Sequence, residues 1–81
     1  MQLEVRLFAM LREAEGHDSV LVALPEGATA ADLKQAIASQ VPELAPFVPT
    51  CRVAAALAFV PETHVLTAGE PVALIPPVSG G

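Results

Sequence analysis

Pro61-Glu62-Thr63-His64-Val65-Leu66-Thr67-Ala68-Gly69-Glu70-Pro71 separates the last two apolar runs of the chain, and it cannot form a full helix. A proline near each end removes a backbone donor, and Gly69 between them weakens any helical turn that starts. Pro61-Glu62-Thr63 and Thr67-Ala68-Gly69-Glu70 read as turns instead. After them, Val72 to Ile75 is a final strand that Pro76-Pro77 stops. Before them, Arg52 to Val60 is apolar almost throughout and reads as a strand, or as two short strands with a break.

The N-terminal half supplies the remaining elements. Residues 2–8 alternate, with Leu3, Val5 and Leu7 on one face and Gln2, Glu4 and Arg6 on the other, the pattern of a half-buried strand. Phe8 breaks the phase by falling on the polar face, so it is either a strand end or part of a surface patch. Ala9 to Glu15 reads as a short helix closed by Gly16, and Val20 to Leu24 as a second strand closed by Pro25-Glu26-Gly27. So short a link makes those two strands an antiparallel pair. Thr29 is a good N-cap with Asp32 in the first turn, opening a helix over 30–40 that carries Leu33, Ala36 and Ile37 on one side. Pro42, Pro46 and Pro49 make 41–50 an irregular connector with one helical turn near Leu44.

This order, with one main helix across a mixed sheet, predicts an α+β fold of the β-grasp, or ubiquitin-like, type. A ferredoxin-like alternative needs a second full helix before the last strand, and residues 61–71 withhold it. The expected organisation is a single domain over 1–76 and a flexible tail over 77–81.

Composition narrows the function. The 81 residues suffice for one domain, and with 53% hydrophobic residues but only three Phe, no Trp and no Tyr the core must be aliphatic. Net charge is −5, and the only cations are Arg6, Arg12, Lys34 and Arg52. Nucleic acid and anionic membrane are therefore excluded as expected partners, whereas a basic protein surface would attract the chain. The single Cys51 permits no internal disulfide, and neither a signal peptide nor a membrane-crossing run is apparent, so the expected compartment is the cytoplasm.

The end of the sequence carries the chemistry. After the last strand it reads Pro76-Pro77-Val78-Ser79-Gly80-Gly81. Paired prolines favour an extended backbone, and five residues from Pro77 onward span roughly 15–18 Å. Gly80 and Gly81 lack Cβ atoms, so the backbone passes through a channel too narrow for side chains. A carboxylate at Gly81 is inert until activated. Once it is an acyl-adenylate, an incoming sulfur yields a thiocarboxylate and an incoming amine yields an amide.

Val5-Arg6-Leu7-Phe8-Ala9 with Leu11-Arg12-Glu13 and Gly16, then Leu66-Thr67-Ala68-Gly69-Glu70, then Val72-Ala73-Leu74-Ile75-Pro76-Pro77-Val78-Ser79-Gly80-Gly81 together resemble the small subunit of molybdopterin synthase (the MoaD type). The resemblance implies a cytoplasmic ubiquitin-like sulfur carrier. Its Gly81 carboxylate would be adenylated at the expense of ATP by an E1-like enzyme (the MoeB type) and sulfurated with the help of a sulfur donor enzyme. The tail would then enter the large subunit (the MoaE type) and give its sulfur to cyclic pyranopterin monophosphate, inside a heterotetramer. The resemblance assigns partner contacts to Phe8, Arg12, Phe59 and Ile75, with Gly80 and Gly81 in the partner's pocket. For Phe8, Phe59 and Ile75 the competing reading is ordinary core, and for Arg12 it is a solvated helix charge. The chain departs from the family at Ala55-Ala56-Leu57-Ala58, where an Asn-containing pair is usual. Ala adopts the left-handed turn conformation at a cost, which puts a hairpin at 56–58 in question and leaves a longer continuous strand open.

Other residues offer less. Cys51 beside Arg52 invites a persulfide role, but a lone Cys without a nearby His is more often an inert buried thiol. His17 and His64 lack metal-ligand spacing, so no metal and no intrinsic cofactor are expected. No catalytic grouping stands out, so the chain is expected to catalyse nothing alone. Three further readings stay open: a ubiquitin-like modifier joined through Gly81 to lysines, a sulfur carrier for thiamine or tRNA thiolation, and a plain interaction module.

Overall fold

Alternation of apolar and polar residues makes Gln2–Leu7 the strand β1, whose odd-numbered side chains are buried and even-numbered ones exposed. The computed structural model describes residues 1–77, so Val78, Ser79, Gly80 and Gly81, on which the tail chemistry was expected, lie outside the described residues. β1 stops one residue short of the strand predicted over 2–8. At Ala9 the backbone takes φ 50° and ψ −125°, and Leu11 N donates to the Phe8 carbonyl at 3.0 Å. Those angles match the first central position of a type II′ turn, normally a glycine position. The turn starts the short helix α1 (Met10–Glu15), which Gly16 ends in a left-handed cap donating to the Arg12 carbonyl.

β2 (Ser19–Ala23) pairs antiparallel with β1, with Leu3 opposite Val22 and Val5 opposite Val20. It lies one residue earlier than predicted. α2 (Ala30–Gln40) begins in a capping box: Asp32 N donates to Thr29 Oγ1 at 3.2 Å, and Thr29 N donates to Asp32 Oδ2 at 3.0 Å. The next two orphan donors are met from a distance. Ala30 N donates to the His64 carbonyl at 2.9 Å and Ala31 N to the Glu62 carbonyl at 3.0 Å. The segment that could not be a helix thus closes the N-terminus of α2, the longest helix among the described residues. Single 3₁₀ turns at Pro42–Leu44 and Val48–Thr50 carry the chain back to the sheet; the second was not foreseen.

β3 (Arg52–Ala55), β4 (Ala58–Phe59) and β5 (Val72–Ile75) complete a five-stranded sheet in the order β2-β1-β5-β3-β4. β5 runs parallel to β1 at the centre and antiparallel to β3. α2 covers one face, where Leu33 and Ile37 meet Val5, Val22 and Leu74, all fully buried. Among the described residues this core holds no aromatic, polar or charged side chain apart from the thiol of Cys51. At about 25 cal/mol per Å² of apolar surface removed from water, the aliphatic layer dominates the stability.

The longer continuous strand over 52–60 does not form. Ala55 pairs with Ala58 and Ala54 with Phe59, so Ala56-Leu57 is a two-residue hairpin loop with φ 51° and 70°. Both residues are left-handed, as a type I′ turn requires, without the usual Asn or Gly. Tertiary pairing overrides that preference. β5 offers β3 only four partners, Val72 to Ile75, and a straight strand would run beyond them unpaired. Ala56 N donates instead to the Pro71 carbonyl at 2.9 Å, and Val60 N returns to the Val53 carbonyl at 3.1 Å. Each left-handed non-glycine residue costs about 1–2 kcal/mol.

Candidate functional site

The sheet face away from α2 is open, and strand register decides what stands on it. Arg6 on β1 lies opposite Ala73 on β5; Ala73 lies opposite Ala54 on β3; Ile75 lies opposite Arg52; and Ala54 lies opposite Phe59 on β4. Cross-strand partners share a face, so these six side chains form one surface. A shallow groove of about 510 Å³ crosses it, lined by Arg6, Phe8, Ala54, Leu57, Ala73 and Ile75.

Phe8 and Ile75, which the resemblance assigned to partner contacts, both line this groove. Phe8 is 43% exposed and Phe59 52%, which removes both from the core; Ile75 is half-buried. Phe59 stands beside the groove with the Arg52 guanidinium 4.0 Å from its ring centroid, a cation–π contact that fixes the ring on the open face. Arg12 does not join them. It projects from α1 with its guanidinium 3.9 Å from the Asp18 carboxylate, an exposed pair worth little energy, and it does not line the groove. Gly80 and Gly81 lie outside the described residues. β5, whose Ile75 lines the groove, is the last strand before them.

Three residues of the face escaped the sequence reading. Leu57, at the hairpin tip, is 96% exposed, yet it lies inside an apolar run that signals burial. Arg6 was read only as the polar side of β1, and Arg52 only as a neighbour of Cys51. The signal available was parity: Arg6 and Phe8 share a face with each other, as do Arg52 and Ala54. Two of the chain's four cations therefore stand on the open face of a protein whose net charge is −5.

The remaining candidates settle elsewhere. Cys51 is buried and its Sγ donates to the Phe47 carbonyl at 3.2 Å. Burial pushes its thiol above the ordinary range, with the Lys34 ammonium pulling the other way, so it is no ready nucleophile. His17 pairs with Glu15 at 2.9 Å, and His64 with Glu70 at 3.3 Å. Among the described residues no group of His, Cys, Asp and Glu is arranged to hold a metal, and no helix is long and apolar enough to cross a membrane.

Comparison with known proteins follows the same fold. Small archaeal modifier protein 1 from Haloferax volcanii superposes with a TM-score of 0.84 at 29% identity over 100% of both chains. A protein from Pyrococcus furiosus assigned as molybdopterin converting factor, subunit 1, gives 0.81 at 26% identity over 96% of this chain and 99% of that one. Subunit 1 in a complex of subunits 1 and 2 of the molybdopterin-converting factor from Helicobacter pylori gives 0.68 at 23% identity over 100% of each, a likeness of fold. A search of curated proteins finds no match by sequence. The ThiS family model matches residues 5–81, from β1 through Gly81. The chain belongs to the ThiS family and is a ubiquitin-like β-grasp protein of the sulfur-carrier or protein-modifier class.

Proposed function

We propose that this chain is the sulfur-carrying small subunit of a molybdopterin synthase, acting through Gly81. Its carboxylate attacks the α-phosphorus of ATP on an E1-like partner, giving an acyl-adenylate and pyrophosphate. Hydrosulfide supplied by a donor enzyme then adds to the carbonyl and AMP leaves, so that the end becomes a thiocarboxylate. Splitting the transfer through an activated acyl group replaces one difficult step with two easier ones. In the large subunit the thiocarboxylate gives its sulfur to cyclic pyranopterin monophosphate, and the carboxylate is regenerated by water. Two transfers complete a dithiolene. The cycle runs in the cytoplasm, in a heterotetramer of two small and two large subunits.

The observation that carries this reading is the family match reaching Gly81. The likeness to a molybdopterin converting factor subunit and the open face beside the root of the tail support the synthase role. This chain contributes positioning and cargo, and the catalytic groups belong to its partners. The likeness to a small archaeal modifier protein favours one alternative, conjugation of Gly81 to lysines.

Intact mass spectrometry separates the two. After incubation with ATP, the E1-like enzyme and a sulfur donor, the chain gains the mass difference between sulfur and oxygen. A variant lacking Gly81 gains nothing while keeping its thermal stability, because the buried core of the described residues runs from Leu3 to Leu74. The thiocarboxylate form, mixed with the large subunit and the pyranopterin precursor, yields molybdopterin. Failure of that last step with a loaded carrier overturns the synthase role, and lysine adducts in a lysate would put the modifier in its place.

A further inference from the structure

We propose that the ion pair between Lys34 and Glu62 shields the single lysine of this chain, so that an activated Gly81 is not captured by a second copy of the chain. This rests on the proposed function, under which Gly81 becomes an acyl-adenylate, and it adds how the chain avoids reacting with its own kind. The sequence holds one lysine, Lys34. An acyl-adenylate is open to any free amine that reaches it. The Lys34 Nζ lone pair would attack the Gly81 carbonyl carbon, and the C–O bond to AMP would break. AMP would leave with the electron pair, and the nitrogen would release a proton to water. The product, one copy joined by an amide to Lys34 of another, has no carboxylate left to take sulfur.

Geometry withholds that amine. Lys34 Nζ donates to Glu62 Oε2 at 3.0 Å, and the lysine side chain is only 13% exposed, whereas the Glu62 side chain is 65% exposed. Lysine is almost never buried unless it is paired. As an ammonium donating to a carboxylate, Nζ has no lone pair to offer. Two clefts of about 300 and 200 Å³ flank the pair, and Lys34 and Glu62 line both. Glu62 is the sole carboxylate among the residues lining either cleft, so the ammonium has no second anion to turn to there. Arg12 shows the ordinary surface arrangement by contrast, 3.9 Å from Asp18 with its side chain 55% exposed.

The segment that caps α2 also fixes the carboxylate. The Glu62 carbonyl accepts from Ala31 N at 3.0 Å, and Ala31 and Lys34 lie three residues apart on one side of α2. Backbone and side chain of Glu62 thus hold the same helical turn. The amine of Met1 is engaged as well, donating to the Leu24 carbonyl at 2.6 Å.

The test uses the full-length chain in two arms, both read by peptide mass at Lys34. In the first, the acylating probe is the N-hydroxysuccinimide ester of acetic acid. Lys34 is expected to acetylate at least about tenfold faster in Glu62→Ala than in the wild-type chain, the loss of one hydrogen bond between charged groups. Glu62→Gln, which keeps the length of the side chain without its charge, should also label faster. Wild-type rates in both variants overturn this inference. In the second arm the chain meets ATP and the E1-like enzyme without a sulfur donor, and added hydroxylamine reports the acyl-adenylate as a hydroxamate at Gly81. Without hydroxylamine, the wild-type chain should form no copy-to-copy adduct. Glu62→Ala, and Ser39→Lys with its exposed position on α2, should form adducts of twice the chain mass less one water. Adducts at Lys34 in the wild-type chain, or a variant that forms none, overturn this inference and leave the proposed function standing. A wild-type chain that yields no hydroxamate overturns the proposed function, and this inference with it.

Discussion

The two faces of the sheet are built on opposite principles. Under α2, Val5, Val22, Leu33, Ile37 and Leu74 are fully buried, the helix is capped by a complete box, and two carbonyls from 61–66 meet its first free donors. On the other face Phe8, Leu57 and Phe59 are exposed, and Ala9, Ala56 and Leu57 hold left-handed backbone without glycine. Stability is thus concentrated on one side of a single sheet. The other side keeps apolar side chains in water and strained turns in place, which only a partner would reward.

Four substitutions and conditions probe this division. Leu33→Ala on the α2 side is expected to lose about 2–5 kcal/mol of unfolding free energy by leaving a cavity in a closed layer. In a domain of this size that lowers the melting temperature by more than about 10 °C, measurable by calorimetry. Phe59→Ala on the open face should lose no more than about 1 kcal/mol, since it gives up one exposed cation–π contact. Partner affinity should fall nonetheless. Equal stability losses in these two variants would erase the contrast between the faces.

Ala9→Gly relieves the strain at the type II′ turn. A net gain of about 0.5–1 kcal/mol is expected after the extra entropy of glycine in the unfolded chain is subtracted. Denaturant titration measures it, and a loss would mean that Ala9 is comfortable where it stands. The smallest effect concerns Cys51. Burial raises its folded pKa, so its contribution is fully present below the ordinary thiol pKa and is lost as pH rises through the folded value. Alkaline titration of stability should show that decline, and Cys51→Ser should abolish it. At neutral pH the native thiol should react slowly with a thiol reagent.

Much of the fold was legible because local and tertiary demands agree. Pro61, Gly69 and Pro71 forbid a helix, the parity of Leu3, Val5 and Leu7 declares a half-buried strand, and Thr29 with Asp32 declares a helix start. Phe8 announced itself by breaking parity. The hairpin at Ala56-Leu57 stayed open beside a continuous strand because its cause lies elsewhere: β5 is too short to pair a longer β3, and local preference lost to that constraint. Leu57 was hidden, since an apolar run carries no mark of where it turns outward. Arg12 entered through resemblance alone, and in the fold it faces Asp18 rather than the groove. Arg6 and Arg52 needed the register across β1, β5 and β3 to be seen together.

The most direct test of the account is an NMR titration of isotope-labelled chain with the E1-like enzyme. Amide shifts are expected to concentrate at residues 6–9, 54–59 and 73–77, with those of 30–40 unmoved. A footprint centred on α2, with the open face unperturbed, would contradict it.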